Sequence, residues 1–533
     1  MKKTRLLLIP VILLIILANG SCRFSESKKK GNHADDLLRG AVNQRSNLPF
    51  DSNLLLSFYR SFPALNSYRK DVTIVYRQHR YTHIWYDTRG IVEFGSALYR
   101  KASDLNSEGI SAKFPYQEKL DGVFENNKEN TLSQVETELM LTNLYLFYAE
   151  NVLKGVNDTT TTALGWLLPR KQVSYDRLLD SVISDPALLN RNDSILFSQY
   201  YLLRDILKRY REIEKKGGWT LIDLDPRLKA YKPGDTAKAI LQIRERLFIS
   251  GDIKENNGSN RYDPELSEAV MKYQKRNGYN PVKLILPKHI REMNVPVGDR
   301  IKKIIVNMER CRWIPPGFSR AKEFIVVNIP SYKLNLMRNG KSEFESSVIV
   351  GSNITKTVVF SGKLSYIVFC PYWNLPQSII NKEVKPGMAK HKNYLETHNM
   401  EWNNGMVRQK PGKNNSLGLI KFIFPNSNDI YMHDTPAKSL FSHERRAFSH
   451  GCIRVAKPRD FAAEILKDDP KWTMGKIDSA MHSGKERSYS LKTKIPVFIG
   501  YLTAWVDQDG VINFYEDVYG LDQRLEELLI GQR

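Results

Sequence analysis

Hydrophobic and polar positions change their period twice along this 533-residue chain. After an apolar run over residues 6–18, the stretch from 48 to 227 repeats at helical spacing. Leu141, Leu144, Tyr145 and Tyr148 form one stripe, and Tyr200, Leu203, Leu207 and Tyr210 another. Residues 228–295 keep that period in shorter pieces. Ile240, Ile243 and Leu247 line one face of a helix that stops at Gly251. A second helix takes Asp263 as N-cap and Pro264 at its first position, presents Leu266, Val270 and Tyr273, and stops at Gly278. A helix around 297–312 follows. The period then becomes that of strands, in β-branched or aromatic runs at 324–327, 333–336, 347–350, 357–360 and 366–369. Asn339-Gly340, Gly351-Ser352 and Ser361-Gly362 separate them, which predicts a meander or sandwich. Similar runs resume at 419–424, 431–433, 452–455 and 496–504. Between the two sets lies an irregular segment, 373–418, with Pro376, Pro386 and Pro411. An insertion of that length inside a β domain is usually functional, often a lid.

These elements predict a multidomain α+β chain, since so long a sequence exceeds one core. The parts are a leader (1–22), a polar tether (23–47), a helical domain (48–227) and a small three-helix module (228–295). A helix then returns to the first domain (296–321), followed by a mainly-β domain (322–520) that carries the insertion 373–418, and a C-terminal helix (521–533). Apolar content of 41% and charged content of 26% are those of a folded protein. The leader is distinctive. Lys2, Lys3 and Arg5 precede an apolar run too short to span a bilayer, then Gly20-Ser21-Cys22. It reads as an export signal, either plainly secretory or of the lipoprotein kind with Cys22 lipidated, although Asn19 stands where lipoprotein signals place an aliphatic residue. Membrane contact is expected only through this segment, and the body in the cell envelope or periplasm.

Cys311, Cys370 and Cys452 are too few for a disulfide framework in an exported chain. Cys311 and Cys370 read as buried apolar filler. The net charge of +22 is scattered, with no block longer than Lys28-Lys29-Lys30. Export argues against nucleic acid and favours an anionic surface or a carboxylate-rich polymer.

Cys452 has different surroundings. It lies in Ser449-His450-Gly451-Cys452-Ile453-Arg454-Val455, preceded by Tyr431-Met432-His433-Asp434-Thr435-Pro436. A thiol attacks a carbonyl as thiolate, and a neighbouring imidazole is the usual acceptor of its proton. His450, two residues away on one strand, is about 7 Å distant, whereas a residue on the adjacent strand approaches to about 5 Å. His433 is therefore the expected base. It is joined to Cys452 by a crossover, 436–448, expected to be helical, with His443 on its surface. His450 is left an orienting role. Gly451 lets backbone amides approach a developing oxyanion. Tyr431 is either a further donor or sheet packing. Arg454 either binds a substrate carboxylate or ties its strand to an acid. His79 and His83, beside Arg77 and Arg80, read as core or surface histidines and not as a metal pair.

These motifs, with Arg445-Arg446-Ala447-Phe448 between them, resemble the catalytic signature of the L,D-transpeptidases with a YkuD-type domain. The helical half is similar to the scaffold domain of their large YcbB-like members, and residues 228–295 resemble the type 1 peptidoglycan-binding module. Tyr372-Trp373-Asn374-Leu375-Pro376-Gln377-Ser378-Ile379 resembles the start of their capping subdomain. Two departures are Arg454, where many members have Asn, and Cys311, where tryptophan is expected. The resemblance implies that Cys452 forms a thioester with a peptidoglycan tetrapeptide stem and releases D-Ala, and that His433 is its acid and base. Gly451 and Tyr431 would serve the oxyanion, while Arg454, Trp373 and Ser449 would stand at the substrate. A second stem's amine would then form a 3→3 cross-link, carbapenem-type β-lactams would inhibit, and neither a metal nor an organic cofactor would be needed. The rival readings are a cysteine carboxypeptidase acting on wall peptides and a non-catalytic wall-binding lipoprotein.

Overall fold

In the N-terminal half a helix that is apolar all round becomes the centre, because it has no polar face to give to water. This is α1 (Gln134–Tyr148). A reciprocal cap starts it: the Glu136 N–H donates to the Ser133 hydroxyl at 3.2 Å, and the Ser133 N–H donates to the Glu136 carboxylate at 2.8 Å. Its one buried acid, Glu138, accepts the N–H groups of Ile84 and Trp85 and the Tyr76 hydroxyl. Glu138 also takes His83, while His79 pairs with Asp180. The two histidines thus serve different carboxylates within the helical domain. Helix α2 (Ser198–Lys215) buries Tyr200, Leu203, Leu207 and Tyr210, the stripe expected from its spacing. The computed structural model describes residues 48–49, 51–125, 132–168, 174–185, 188, 195–315, 318 and 321–530. The expected leader with Cys22 and the tether lie outside the described residues.

Helices α3 (Lys238–Ser250), α4 (Pro264–Arg276) and α5 (Pro287–Met293) pack Ile240, Ile243, Leu247, Leu266, Val270 and Ile290 into a core separate from the rest. Asp263 caps α4 by accepting the Leu266 N–H at 2.9 Å. Helix α6 (Val297–Trp313) then runs back against α2. Cys311 is fully buried in α6, where burial raises its thiol above the ordinary range.

The β domain is built on β1 (Glu323–Asn328), β2 (Lys333–Arg338), β3 (Lys341–Gly351) and β4 (Phe360–Phe369). The insertion follows, with β5 (Trp373–Asn374), β6 (Met400–Asn403) and β7 (Met406–Gln409). The chain then returns through β8 (Ile420–Ile423), β9 (Met432–His433), β10 (Ala447–Ser449), β11 (Ile453–Val455) and β12 (Arg487–Gly500). Hydrogen-bonded neighbours run β3-β11-β9-β8-β4-β12-β1-β2, and β2 pairs again with β3. The sheet is therefore a closed barrel, correcting the expected meander or sandwich. Closure depends on β3, whose first half pairs with β2 and whose last residues pair with β11. Residues 357–360, expected as a strand, only lead into β4, and Val359 bridges to Trp166 of the helical domain. A hairpin of β13 (Ala504–Val506) and β14 (Ile512–Phe514) docks on α2, where the Gln199 amide exchanges two hydrogen bonds with the Val506 backbone.

The insertion has a small core of its own, Leu375, Ile380, Val384 and Val407, under a sheet of β5, β7 and β6. Its helical stretch passes through a π turn, Ile380–Val384, two residues before Pro386. A proline inside a helix clashes with the carbonyl four residues back, and a widened turn relieves this.

Candidate active site

Ile420, Phe422, Met432, Ile453 and Val455 are buried in the barrel, so the alternate residues face outward. Register makes them two rows. His433 pairs with Lys421 of β8 on one side and Arg454 of β11 on the other. One step along the same strands stand Tyr431 and Cys452, where the Ile453 N–H donates to the Tyr431 carbonyl at 3.1 Å. His433 and Cys452 are therefore on one face but diagonal, about 7–8 Å apart along the sheet and not directly opposed. No hydrogen bond joins them. The thiol donates instead to the Asp429 carbonyl at 3.8 Å and is hydrogen-bonded by the Tyr431 hydroxyl. This corrects the expected direct contact, and the cause is the register.

Two residues of the insertion reach this face. The Leu417 carbonyl stands beside the His433 ring, and Glu383, in the π turn, lies 3.9 Å from His450 Nε2. His433 is only 4% exposed. Its Nδ1 stands 2.5 Å from the Asp434 carbonyl, and the tautomer this contact favours leaves Nε2 as the acceptor. Burial, and next the Arg454 cation, push this imidazole down to about 3, so it is neutral throughout the physiological range. Burial raises the Cys452 thiol, opposed by hydrogen bonds from Tyr431 and by the Arg454 charge. The free site therefore holds a protonated thiol beside a neutral imidazole.

The turn before Cys452 is fixed from within. Gly451 has φ +114°, a conformation other residues rarely adopt, while a Cβ there would meet only ordinary contacts at 3.9 Å. Ser449 donates its hydroxyl to the Cys452 carbonyl at 2.5 Å and accepts the Gly451 N–H at 3.2 Å. Thr357 donates to the Gly451 carbonyl at 2.8 Å, and Ser352 and Thr355 hold the Ser449 carbonyl. Two expectations change. Ser449, expected beside a substrate, is buried with its hydroxyl bonded to the backbone of the turn. The Gly451 amide is already used, while among the described residues the N–H groups of His450 and Cys452 have no backbone acceptor.

Trp373, expected as a wall of the site, pairs with Gln409 and packs on the insertion's core. Among the described residues Arg454 makes no ion pair, and its buried Nε has no hydrogen-bond partner, so it does not tie its strand to an acid. Asp434 accepts the Leu419 N–H at 2.9 Å and Lys438 Nζ at 2.6 Å, joining the insertion's return to the crossover. That crossover is a 3-10 turn, Lys438–Ser442, and not a longer helix, and His443 is exposed against Phe448 as expected. Glu444 ties the crossover to the three-helix module through Lys288 at 2.5 Å and the Asn280 N–H at 3.1 Å. Cys370 is buried and donates to the Met481 carbonyl at 3.0 Å. Among the described residues no group of His, Cys, Asp or Glu is placed to hold a metal. Lys421, Asp434 and Thr357 were not singled out from the sequence. Lys421 is an outward lysine on a strand and Thr357 carries no local signal, but Asp434 follows the histidine inside the motif.

Because the thiol is held above its ordinary range, near 8.5, alkylation of Cys452 by iodoacetamide is expected to climb about tenfold per pH unit from 6 to beyond 8. A plateau already present at pH 6, the mark of a preformed thiolate–imidazolium pair, would contradict this.

A profile of the L,D-transpeptidase catalytic domain (YkuD) matches residues 322–478, and one of the scaffold domain matches 70–207. A protein from Haemophilus influenzae whose name assigns it provisionally to the L,D-transpeptidases is 36% identical over 245 residues, 42% of this chain and 49% of the relative. The match thus spans about half the length of that relative. Among solved structures, an L,D-transpeptidase from Mycobacterium smegmatis aligns over 34% of this chain and 59% of its own, with 13% identity and a TM-score of 0.20. One from Stackebrandtia nassauensis aligns over 51% and 95%, with 14% identity and a TM-score of 0.21. Superpositions that loose carry no argument about the site. The two profiles, together with the signature residues gathered on one barrel face inside the region that the first covers, identify the domains: the chain carries a YkuD-type L,D-transpeptidase catalytic domain behind a scaffold domain.

Proposed function

We propose that the protein transfers the acyl group of a peptidoglycan tetrapeptide stem through a thioester on Cys452 and forms 3→3 cross-links. The observation that carries the reading is the placement of Cys452 and His433 in adjacent rows of one outward barrel face, with an insertion reaching His433 and His450. Sγ adds to the carbonyl that joins the stem's third, diamino-acid residue to its terminal D-Ala. The C–S bond forms, the C–N bond breaks, and the thiol proton passes by way of His433 to the departing amine. The amine of a second stem then adds to the thioester, C–N forms, C–S breaks, and the proton returns to sulfur.

The diagonal between thiol and imidazole suits this sequence, because the departing nitrogen must lie between the two. With a high thiol and a low imidazole, proton transfer accompanies attack and does not precede it. The Cys452 N–H and the Tyr431 hydroxyl are the donors available to the oxyanion. The insertion limits water, which favours an amine as acceptor. The three-helix module would hold the polymer, and the leader would export the chain to the cell envelope. A carbapenem would acylate the same thiol. Hydrolysis by this site gives a different product, so mass spectrometry of muropeptides incubated with the protein decides. Cross-linked dimers are expected, and shortened monomers alone would replace transfer with carboxypeptidase activity.

A further inference from the structure

We infer that Lys421 and Arg454 are a two-cation clamp for the free terminal carboxylate of the donor stem, which restricts donors to stems ending one residue beyond the bond that is cut. The inference rests on the acyl-transfer reading above and names the determinant of its donor.

The geometry begins with the leaving group. If His433 protonates the departing nitrogen, the carboxyl carbon of that residue sits two bonds further on, about 2.5 Å from the nitrogen. It must therefore lie beside the His433 ring. The residues beside that ring are its register partners, Lys421 and Arg454, each with its Cβ about 5 Å away. Both point to the same outward face, and both are half-buried. Among the described residues neither makes an ion pair, and the buried Nε of Arg454 has no hydrogen-bond partner. The nearest acid felt by Lys421 is Glu486, which instead accepts the Tyr372 N–H at 2.6 Å. Two cations partly withdrawn from water without a counter-charge are costly to keep, and an arriving carboxylate removes that cost.

Burial lowers both cations from their ordinary values, in keeping with charges that lack a partner. The groups around His433 are Lys421, Arg454, Cys452, Tyr431 and the carbonyls of Asp434 and Leu417. The two lysine and arginine charges oppose protonation of the ring, so a carboxylate between them raises its basicity. The stem that carries the right terminus thereby makes its own general base more effective. A stem with an amide or a further residue at that point offers no charge and leaves both cations uncompensated.

The test uses the full chain and two donor peptides of one sequence, ending in D-Ala with a free carboxylate or in D-alaninamide, with release of the terminal residue followed by mass spectrometry. The wild type is expected to lose about 10- to 100-fold in kcat/KM on the amide, the loss typical of a charged hydrogen bond. In Lys421→Met the preference for the carboxylate donor over the amide should shrink toward one, and a preference as large as the wild type's would overturn the part assigned to Lys421. Equal rates on the two donors in the wild type would overturn the clamp and leave acyl transfer standing, and that comparison needs no variant to fold. Release from neither donor would overturn the acyl-transfer reading and the clamp with it.

Discussion

Cys452→Ser is expected to lower release of the terminal residue from a donor stem by at least about 10³-fold, the loss typical when a nucleophile is removed. The substitution is nearly isosteric, and the site around it is held by contacts that do not involve sulfur. Ser449 bonds the backbone on either side, and Thr357 fixes Gly451. The loss would therefore be chemical. The neighbouring imidazole, pushed down to about 3, is too weak a base to ionise a hydroxyl, whereas a thiol gives up its proton far more readily. A steady-state assay of D-Ala release, with the variant's thermal transition matching the wild type, is the check. Retention of more than a tenth of the activity would move the nucleophile elsewhere.

Gly418→Ala is the second change with a large expected effect. Gly418 has φ +63°, and a Cβ there would stand 2.3 Å from Asp434 Cγ and Oδ2. Asp434 cannot yield freely, because its carboxylate holds the Leu419 N–H and Lys438 and its carbonyl faces His433 Nδ1. The overpacking costs about 1–3 kcal/mol and the left-handed backbone about 1 kcal/mol more. A fall in melting temperature and a drop in turnover greater than about tenfold are expected together, since the same shift moves the imidazole. Gly405→Ala is the control. Its φ of +78° is similar, but nothing lies within 4 Å, so only the conformational cost of about 1 kcal/mol applies. Equal effects at the two positions would show that space at Gly418 does not matter.

The parts of this molecule that were legible in its sequence are those specified within a few residues. The stripe of α2, the Asp263 cap, the separate helical module and the strand-rich end are local patterns of period and capping. Likewise Cys452, His433 and Gly451 announce themselves because a thiol, an imidazole and a glycine fall in two short motifs. What depends on pairing between distant segments was not legible. The barrel closes only because β3 is long enough to bond β2 and then β11, and no property of 341–351 alone states that. Register likewise sets His433 opposite Arg454 and not Cys452, so the expected direct hydrogen bond became a diagonal. Ser449 is polar and next to the motif, and it read as a substrate contact until the turn showed its hydroxyl spent on the backbone. Lys421 is the converse case. It is an ordinary outward lysine until pairing places it beside the imidazole.

The most direct measurement is the mass of the protein itself, quenched in acid during reaction with a tetrapeptide donor and no acceptor amine, then digested and mapped. The proposed mechanism predicts a gain equal to the donor minus D-Ala, confined to the peptide that contains Cys452 and absent from Cys452→Ala. Turnover without any covalent species, or an adduct on Cys311 or Cys370, would contradict it.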